Sequence, residues 1–553
     1  MRILLVASAF NSLTQRVFAE LGEHGHTVNV CLVGGHDDDV LRAAVRRDAP
    51  ELILAPMLKS AIPRDVWSAH PCLIVHPGPA GDRGPAALDW AIHEGATRWG
   101  VTVLRADEVL DGGDVWAGAD CPVPEIGKSD LYRNEVSDAA LEAVLLAVTR
   151  FASGTYAPTP QHGPQWRVPD HTRPAHRQHL RRIDWANDPT DTVLRKLRAA
   201  DSRPGVLDEF AGGEWYLHGG HAEDELRGAP GEVLAGRAGA LCRATTDGAV
   251  WIPELRARGP AQVKLPARLA LGDRLRGVPE VPAPLHLPEG RRTWSDIRYR
   301  EDGPVGFLRF SFPSGAMDTT HCRRLLDAYR RACSRPTSVL VLGGGRDFFS
   351  NGIHLGVIEA AADPGRESWA NIEAMDDLVE AVLTTTDRVV VAAVGGNAAA
   401  GGALLAMAAD ELWCRHGSIL NPHYRLMGLY GSEYWTYTLP RRVGDAVAER
   451  LTRQALPVTA AGAQRLGLVD RVLPATPEEF GPEVARLARR MAAGSGAQAR
   501  IAAKKSARER DEAAKPLSAY RAEELARMRR TFLDPNAPYH ALRSAFVRKL
   551  PRK

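Results

Sequence analysis

Cysteine is scarce: the 553-residue chain has seven, scattered, and none forms a CxxC pair. That argues against a structural zinc site and against a disulfide framework, and it fits a reducing compartment. No apolar run is long enough to cross a bilayer. The opening Met-Arg-Ile-Leu-Leu-Val-Ala-Ser is only strand-length, neither a signal h-region nor a span, so a cytoplasmic protein that does not contact membrane is expected. An excess of one charge is missing as well. Seventy basic against 67 acidic residues leave +3, which gives no reason to expect a nucleic-acid partner. The basic runs Arg527-Met528-Arg529-Arg530 and Lys549 to Lys553 read as solvated faces or chain ends. No GxGxxG follows the first predicted strand, where the turn is Ala7-Ser8-Ala9-Phe10-Asn11-Ser12, so a Rossmann-type dinucleotide site is not expected. Internal repeats and low-complexity segments are absent too.

What is present is organised in blocks, and the length implies two to four domains. Residues 1–155 alternate apolar strands (Ile3–Val6, Thr27–Val33, Glu51–Leu54, Leu73–Val75, Gly100–Leu104) with helical stretches (Thr14–Glu23, Val40–Arg47). This pattern predicts a doubly wound parallel sheet, which binds ligands at the carboxyl ends of its strands. A Pro- and His-rich linker over 156–182 is expected to drape across the surface. Short strands among Gly and Pro turns (Glu214–His218, Gly231–Ala235, Ala249–Ile252) predict a small OB-like β-barrel within 183–290, closed by a Pro-rich connector. From 291 to 553 an α/β domain is expected, with strands Val305–Phe310, Ser338–Leu342 and Arg388–Val394, a helix over Asp318–Ser334, and helices from Pro474 to the end.

Two strings carry chemistry. The first is His76-Pro77-Gly78, Gly81-Asp82-Arg83-Gly84-Pro85 and Leu110-Asp111-Gly112-Gly113-Asp114. Moving a one-carbon acyl group needs a proton shuttle and a carboxylate to orient it, and a histidine directly after a parallel strand is well placed for the first role. The string resembles the enzymes that use 10-formyltetrahydrofolate, such as methionyl-tRNA formyltransferase, whose Asn-x-His-Pro is followed some thirty residues on by Leu-Asp-x-Gly-Asp. The resemblance implies catalytic roles for His76 and Asp111. Arg83, Gly84, Pro85, Asp89 and Trp90 become candidates for the folate pocket. Ile74 stands where that family places its asparagine and cannot donate to an oxyanion, which favours a thiol over an amine as acceptor.

The second string is Phe349-Ser350-Asn351-Gly352-Ile353-His354 with Gly395-Gly396-Asn397 to Gly401-Gly402 and Asp410. It resembles the crotonase (enoyl-CoA hydratase) superfamily through Leu420-Asn421-Pro422 and Leu466-Gly467-Leu468-Val469-Asp470. In that family two backbone amides polarise a thioester carbonyl, which implies an oxyanion hole at Asn351 and Gly401. Leu404 and His423 replace the two hydratase glutamates, so hydration is not expected. Glu433 heads the remaining ionisable candidates for catalysis, followed by His423, then Tyr430 and Tyr424.

Over nearly its whole length the chain resembles the HypX (HoxX) family of nickel–iron hydrogenase maturation factors. The resemblance implies two steps: formyl transfer from 10-formyltetrahydrofolate to coenzyme A, then splitting of formyl-CoA into CoA and carbon monoxide for the hydrogenase iron. It also implies other maturation proteins as partners, and no metal site in the chain itself. Two other readings stay open. One is formyl transfer to a sugar or other amine, fused to an unrelated acyl-CoA enzyme, against which Ile74, Leu404 and His423 speak. The other is a non-catalytic folate- and CoA-binding scaffold, against which His76 and Asp111 speak.

Overall fold

The computed structural model describes residues 1–34, 37–161, 171–493 and 496–550. The chain divides into two compact units, Met1–Arg182 with Arg195–Val206, and Ile183–Leu194 with Leu207–Lys553. Among the described residues no helix is long and apolar enough to cross a membrane. All seven cysteines are unpaired, and all but Cys333 are buried.

The first unit is built on a six-stranded sheet in the order Thr27–Leu32, Arg2–Ala7, Leu52–Met57, Cys72–His76, Arg98–Arg105, Val115–Pro122. Strand alternation sends successive side chains to opposite faces. Ile3, Leu5, Leu52, Leu54, Leu73 and Val75 therefore meet the apolar side of helices Ser12–Glu23 and Glu135–Ser153. Leu4, Val6, Ile53, Ala55 and Cys72 meet Leu41, Ala44 and Val45 of helix Asp38–Asp48. Both faces are covered, as the doubly wound reading requires.

The sheet is nevertheless mixed rather than wholly parallel. The first four strands are parallel, but Arg98–Arg105 runs antiparallel to Cys72–His76, with Thr102 opposite His76. Val115–Pro122 then turns back against it. The reason lies in segment 77–97, a loop with the seven-residue helix Ala87–His93. It does not carry the chain back to the starting edge, as a parallel crossover must, so the next strand begins beside His76. The linker departs from expectation too. Its residues 162–170 lie outside the described residues, but Gln161 is buried, and His171–Thr172 pairs with Asp82–Arg83. This segment enters the site instead of only crossing the surface.

In the second unit the β-region comprises two four-stranded sheets. Their orders are Lys264–Pro266, Glu254–Ala257, Gly213–His218, Val206–Phe210 and His221–Glu223, Ala249–Ile252, Ala240–Ala244, Val233–Arg237. The remainder carries a six-stranded sheet: Ile297–Asp302, Val305–Phe310, Val339–Gly343, Val389–Val394, Glu411–Arg415, Arg471–Leu473. It is parallel after its first pair. A smaller sheet (Phe348–Ser350, Asn397–Ala399, Ile419–Asn421, Val458–Thr459) pairs Ser350 with Ala398 and Ala399 with Asn421. That pairing brings the ends of three strands together, and with them residues 351–352, 400–402 and 422–424. Helices Phe480–Ala493, Gly496–Ala514, Leu517–Leu533 and Pro538–Arg548 complete the unit.

Candidate active sites

In the first unit His76 closes the strand Cys72–His76 and is buried. Its ring lies between two carboxylates: Nε2 is 3.0 Å from Asp82 Oδ2, and Nδ1 is 3.5 Å from Asp111 Oδ2. Asp82 is fully buried, and its other oxygen accepts Arg173 Nε at 2.8 Å, while that guanidinium also reaches Glu94 at 2.6 Å. Asp111 Oδ2 accepts the Gly84 amide at 3.2 Å. The buried Gln161 ties the two loops, donating to the carbonyls of Asp111 (2.9 Å) and Gly113 (2.8 Å) and accepting the Gly81 amide (2.9 Å). Gly78 is required by the pair it faces, since a Cβ there would sit 2.5 Å from both His76 Nε2 and Asp82 Oδ2. Ile74 is partly buried against the apolar core on the other face of the sheet and its side chain offers no donor. The structure thus brings His76 and Asp111 together. It adds Asp82, Arg173 and Gln161, which sequence reasoning had not assigned.

The candidates for folate contacts divide. Gly84 sits in the site, and Arg83 is buried next to it. Asp89 is taken up by the chain itself, accepting Lys128 Nζ at 2.9 Å and Arg181 at 2.6 Å. Trp90 Nε1 donates to the Pro174 carbonyl at 2.9 Å.

In the second unit the helix Gly401–Met407 begins directly after strand Asn397–Ala399, and its first amides have no acceptor in a preceding turn. Glu433 faces this point. Its Oε2 accepts Tyr424 Oη at 2.7 Å and the Ser432 amide at 3.1 Å. Its Oε1 lies against Gly401, 2.1 Å from where a Cβ would be. Glycine is needed at 401 for this close approach alone. Two further buried carboxyls stand behind the turn. Asp376 accepts the Glu433 amide at 2.8 Å and Ser432 Oγ at 2.7 Å. Glu524 accepts the amides of Tyr434 (2.9 Å) and Thr436 (2.8 Å), together with the Thr436 hydroxyl. Glu433 and Tyr434 are both left-handed (φ 59° and 58°), a conformation that costs about 1–2 kcal/mol per non-glycine residue.

Burial, then the Asp376 charge, pushes the Glu433 carboxyl above its ordinary value, against the pull of the Tyr424 hydrogen bond. Burial likewise raises Asp376, and it brings Glu524 to about 8. Desolvation disfavours each charged form.

Other expectations need correcting. The Asn351 amide is not a free oxyanion donor, because it donates to the Gly315 carbonyl at 2.7 Å. The reason is local: Gly315 lies beside this strand end, and the Asn351 side chain is held as well, its Nδ2 donating to the Ser314 carbonyl. The ring of Tyr430 lies against Trp435 (5.2 Å between centroids) and under Arg527 (4.2 Å). The phenol that reaches Glu433 belongs to Tyr424. Among the described residues His423 Nδ1 has no hydrogen-bond partner, and burial lowers its imidazole to about 4, so near neutrality it is an uncharged ring. Leu404 is buried in the core.

Comparison with known proteins gives three family matches. Residues 36–148 match the formyl transferase family, 177–269 the formyl transferase C-terminal domain, and 306–536 the enoyl-CoA hydratase/isomerase family. The hydrogenase maturation factor HoxX of Bradyrhizobium diazoefficiens is 48% identical over 554 residues, which cover 100% of this chain and 95% of that protein. Methionyl-tRNA formyltransferase of Geobacillus thermodenitrificans is 27% identical over 234 residues, 41% of this chain and 70% of that protein. Among solved structures, HypX from Aquifex aeolicus in complex with tetrahydrofolic acid matches with a TM-score of 0.96 at 43% identity, covering 100% of this chain and 97% of that one.

Proposed function

The chain belongs to the HoxX/HypX family of hydrogenase maturation factors, and from that premise we propose that it makes carbon monoxide in two steps, formyl transfer to coenzyme A and decarbonylation of formyl-CoA. The observation that carries the second step is the placement of Glu433, with one oxygen tethered by Tyr424 and the other against the Gly401 backbone. A formyl-transferase half and an acyl-thioester half meet chemically at one compound, the formyl thioester.

In the first step 10-formyltetrahydrofolate is the donor, in keeping with the tetrahydrofolate bound to the Aquifex aeolicus relative. His76 takes the thiol proton as sulfur attacks the formyl carbon, and it returns that proton to the folate nitrogen as the C–N bond breaks and tetrahydrofolate leaves. Asp111, 3.5 Å from Nδ1, stabilises the imidazolium, and Asp82 on Nε2 holds the ring in orientation. Ile74 removes the carboxamide that an amine acceptor would need, and a thiol, more acidic and more nucleophilic, needs less assistance. Gly78 and Gly84 let the backbone close around this pair.

In the second step Glu433 accepts the proton on the formyl carbon. The electrons of that C–H bond remain on carbon, the C–S bond leaves with its pair on sulfur, and the proton returns to the thiolate. Formyl-CoA thus becomes CO and CoA with no net proton change. Gly401 orients the thioester carbonyl through its amide, and Tyr424 keeps the carboxyl aimed. At the two positions where hydratases carry their glutamates stand Leu404 and the uncharged His423, so neither supplies a carboxylate for hydration chemistry.

The test is CO trapping by haemoglobin. Wild type given 10-formyltetrahydrofolate and CoA should release CO. His76→Ala should lose about 10²–10⁴-fold of this output but retain CO release from synthetic formyl-CoA. Glu433→Gln should lose both. No CO from wild type with either substrate would overturn the proposal, as would full CO release by Glu433→Gln.

A further inference from the structure

We propose that Asp376 and Glu524 are positioning residues for Glu433: from two different helices they clamp the turn 432–436 and so aim Glu433 Oε1 at Gly401. This rests on the reading of Glu433 as the base of the second step.

The turn cannot hold its shape by itself. Two consecutive non-glycine residues are left-handed, and their amides lie outside any helix or strand ladder. Each such amide is instead received by a buried carboxylate. Asp376, on helix Pro364–Thr384, takes the Glu433 amide and the Ser432 hydroxyl. Glu524, on helix Leu517–Leu533, takes the amides of Tyr434 and Thr436. Both carboxyls are fully buried, and a serine or amide partner in each case converts the burial of a polar group into a directed contact. The three atoms nearest a Cβ at Gly401 all belong to Glu433, so each carboxyl acts through Glu433.

The arrangement also crowds negative charge. Facing Glu433 are Asp376 and Glu524, the Tyr424 phenol, and Cys322 of helix Thr319–Cys333, whose thiol is raised by burial and, less strongly, by the Glu433 charge. The Arg521 guanidinium is 3.9 Å from Asp376 but is shared with Asp377 (2.5 Å) and Glu380 (2.9 Å). One proton shared within the Asp376–Glu433 pair relieves the repulsion. The sign follows from both carboxyls being raised on folding. Their contribution to stability is complete in acid and is lost as pH rises through their folded-state values.

The experiment uses full-length protein with two readouts. The first is the pH profile of CO release from formyl-CoA. Asp376→Ala should lower kcat at least about tenfold with KM within about twofold. Asp376→Asn keeps an acceptor for the Glu433 amide and removes the charge. It should restore most of kcat and move the acid limb down by about one pH unit. The second is the melting temperature between pH 6 and 9 with no substrate present. It should fall with pH in wild type and fall less in Asp376→Asn. The clamp is overturned if Asp376→Ala keeps wild-type kcat, or if Asp376→Asn leaves both the acid limb and the alkaline fall in melting temperature unmoved. Failure of the base assignment has a separate signature: Glu433→Gln would still release CO, while the melting arm would continue to report the clamp. Glu524 uses one oxygen for the Tyr434 amide and the other for Thr436, so Glu524→Gln loses one acceptor; expected to lower kcat at unchanged KM, it covers the case in which Asp376→Ala does not fold.

Discussion

At Gly401 one methyl group separates a working site from a blocked one. A Cβ there would lie 2.1 Å from Glu433 Oε1 and 2.7 Å from its Cδ, and Glu433 cannot retreat while Tyr424 and Ser432 hold its other oxygen. Gly401→Ala should therefore lower CO release from formyl-CoA at least about tenfold, the scale of a displaced catalytic group. Formyl transfer at the His76 site should be unchanged, as read by consumption of the folate donor. Equal loss of both activities would mean the substitution unfolds the chain instead of moving one side chain. At this scale the sequence was informative wherever chemistry sits in one short string. His76, Asp111, Gly401 and Glu433 are candidates on their immediate neighbours alone, and the structure sets His76 beside Asp111 and Glu433 against Gly401. Their supports were not. Asp376 lies 57 residues from the amide it accepts, and Glu524 lies 90 residues from its own. Nothing in helix-forming segments that contain many acids marks which one turns inward. Asn351 misled for the same reason, because its acceptor, the Gly315 carbonyl, belongs to a loop that only folding brings alongside.

At the scale of elements, the sequence pattern located the first four strands of the N-terminal sheet: burial on both faces makes Arg2–Ala7, Leu52–Met57 and Cys72–His76 near-continuous apolar runs, while the partly exposed edge strand Thr27–Leu32 alternates. It could not give the direction of Arg98–Arg105, which depends on where segment 77–97 leaves the chain. The linker shows the same limit. Its composition reads as surface, yet Gln161 makes three buried hydrogen bonds that join the loop after His76 to the loop of Asp111. Gln161→Ala strands two carbonyls and an amide, at about 1–3 kcal/mol per unsatisfied buried group. The expected outcome is a formyl-transfer rate reduced at least about tenfold and a lowered melting temperature for the N-terminal unit. CO release from supplied formyl-CoA should stay at the wild-type level. Wild-type transfer would show that the linker only passes by.

At the scale of the whole molecule, the joining of two family halves was legible because each half carries its own motif, and the family matches fall on 36–148, 177–269 and 306–536 accordingly. The proposed sequence of steps makes a specific prediction for the joined chain. Glu433→Gln given 10-formyltetrahydrofolate and CoA should accumulate formyl-CoA, seen by chromatography of the quenched reaction, while CO stays at background. If neither formyl-CoA nor CO appeared although His76 was intact, CoA would not be the formyl acceptor.

The seven unpaired cysteines carry a consequence of their own. Acyl thioesters exchange their acyl group with thiolates, so a chain that makes or holds a formyl thioester is exposed to modification by its own product. Here burial raises every one of these thiols: Cys72, Cys121 and Cys242 to about 12, with Cys31, Cys322, Cys333 and Cys414 shifted in the same direction. Raised in this way, and with all but Cys333 buried, these thiols are poor competitors for the acyl group of the proposed thioester. Under the proposed function, the packing that builds the cores also shields these thiols from self-formylation.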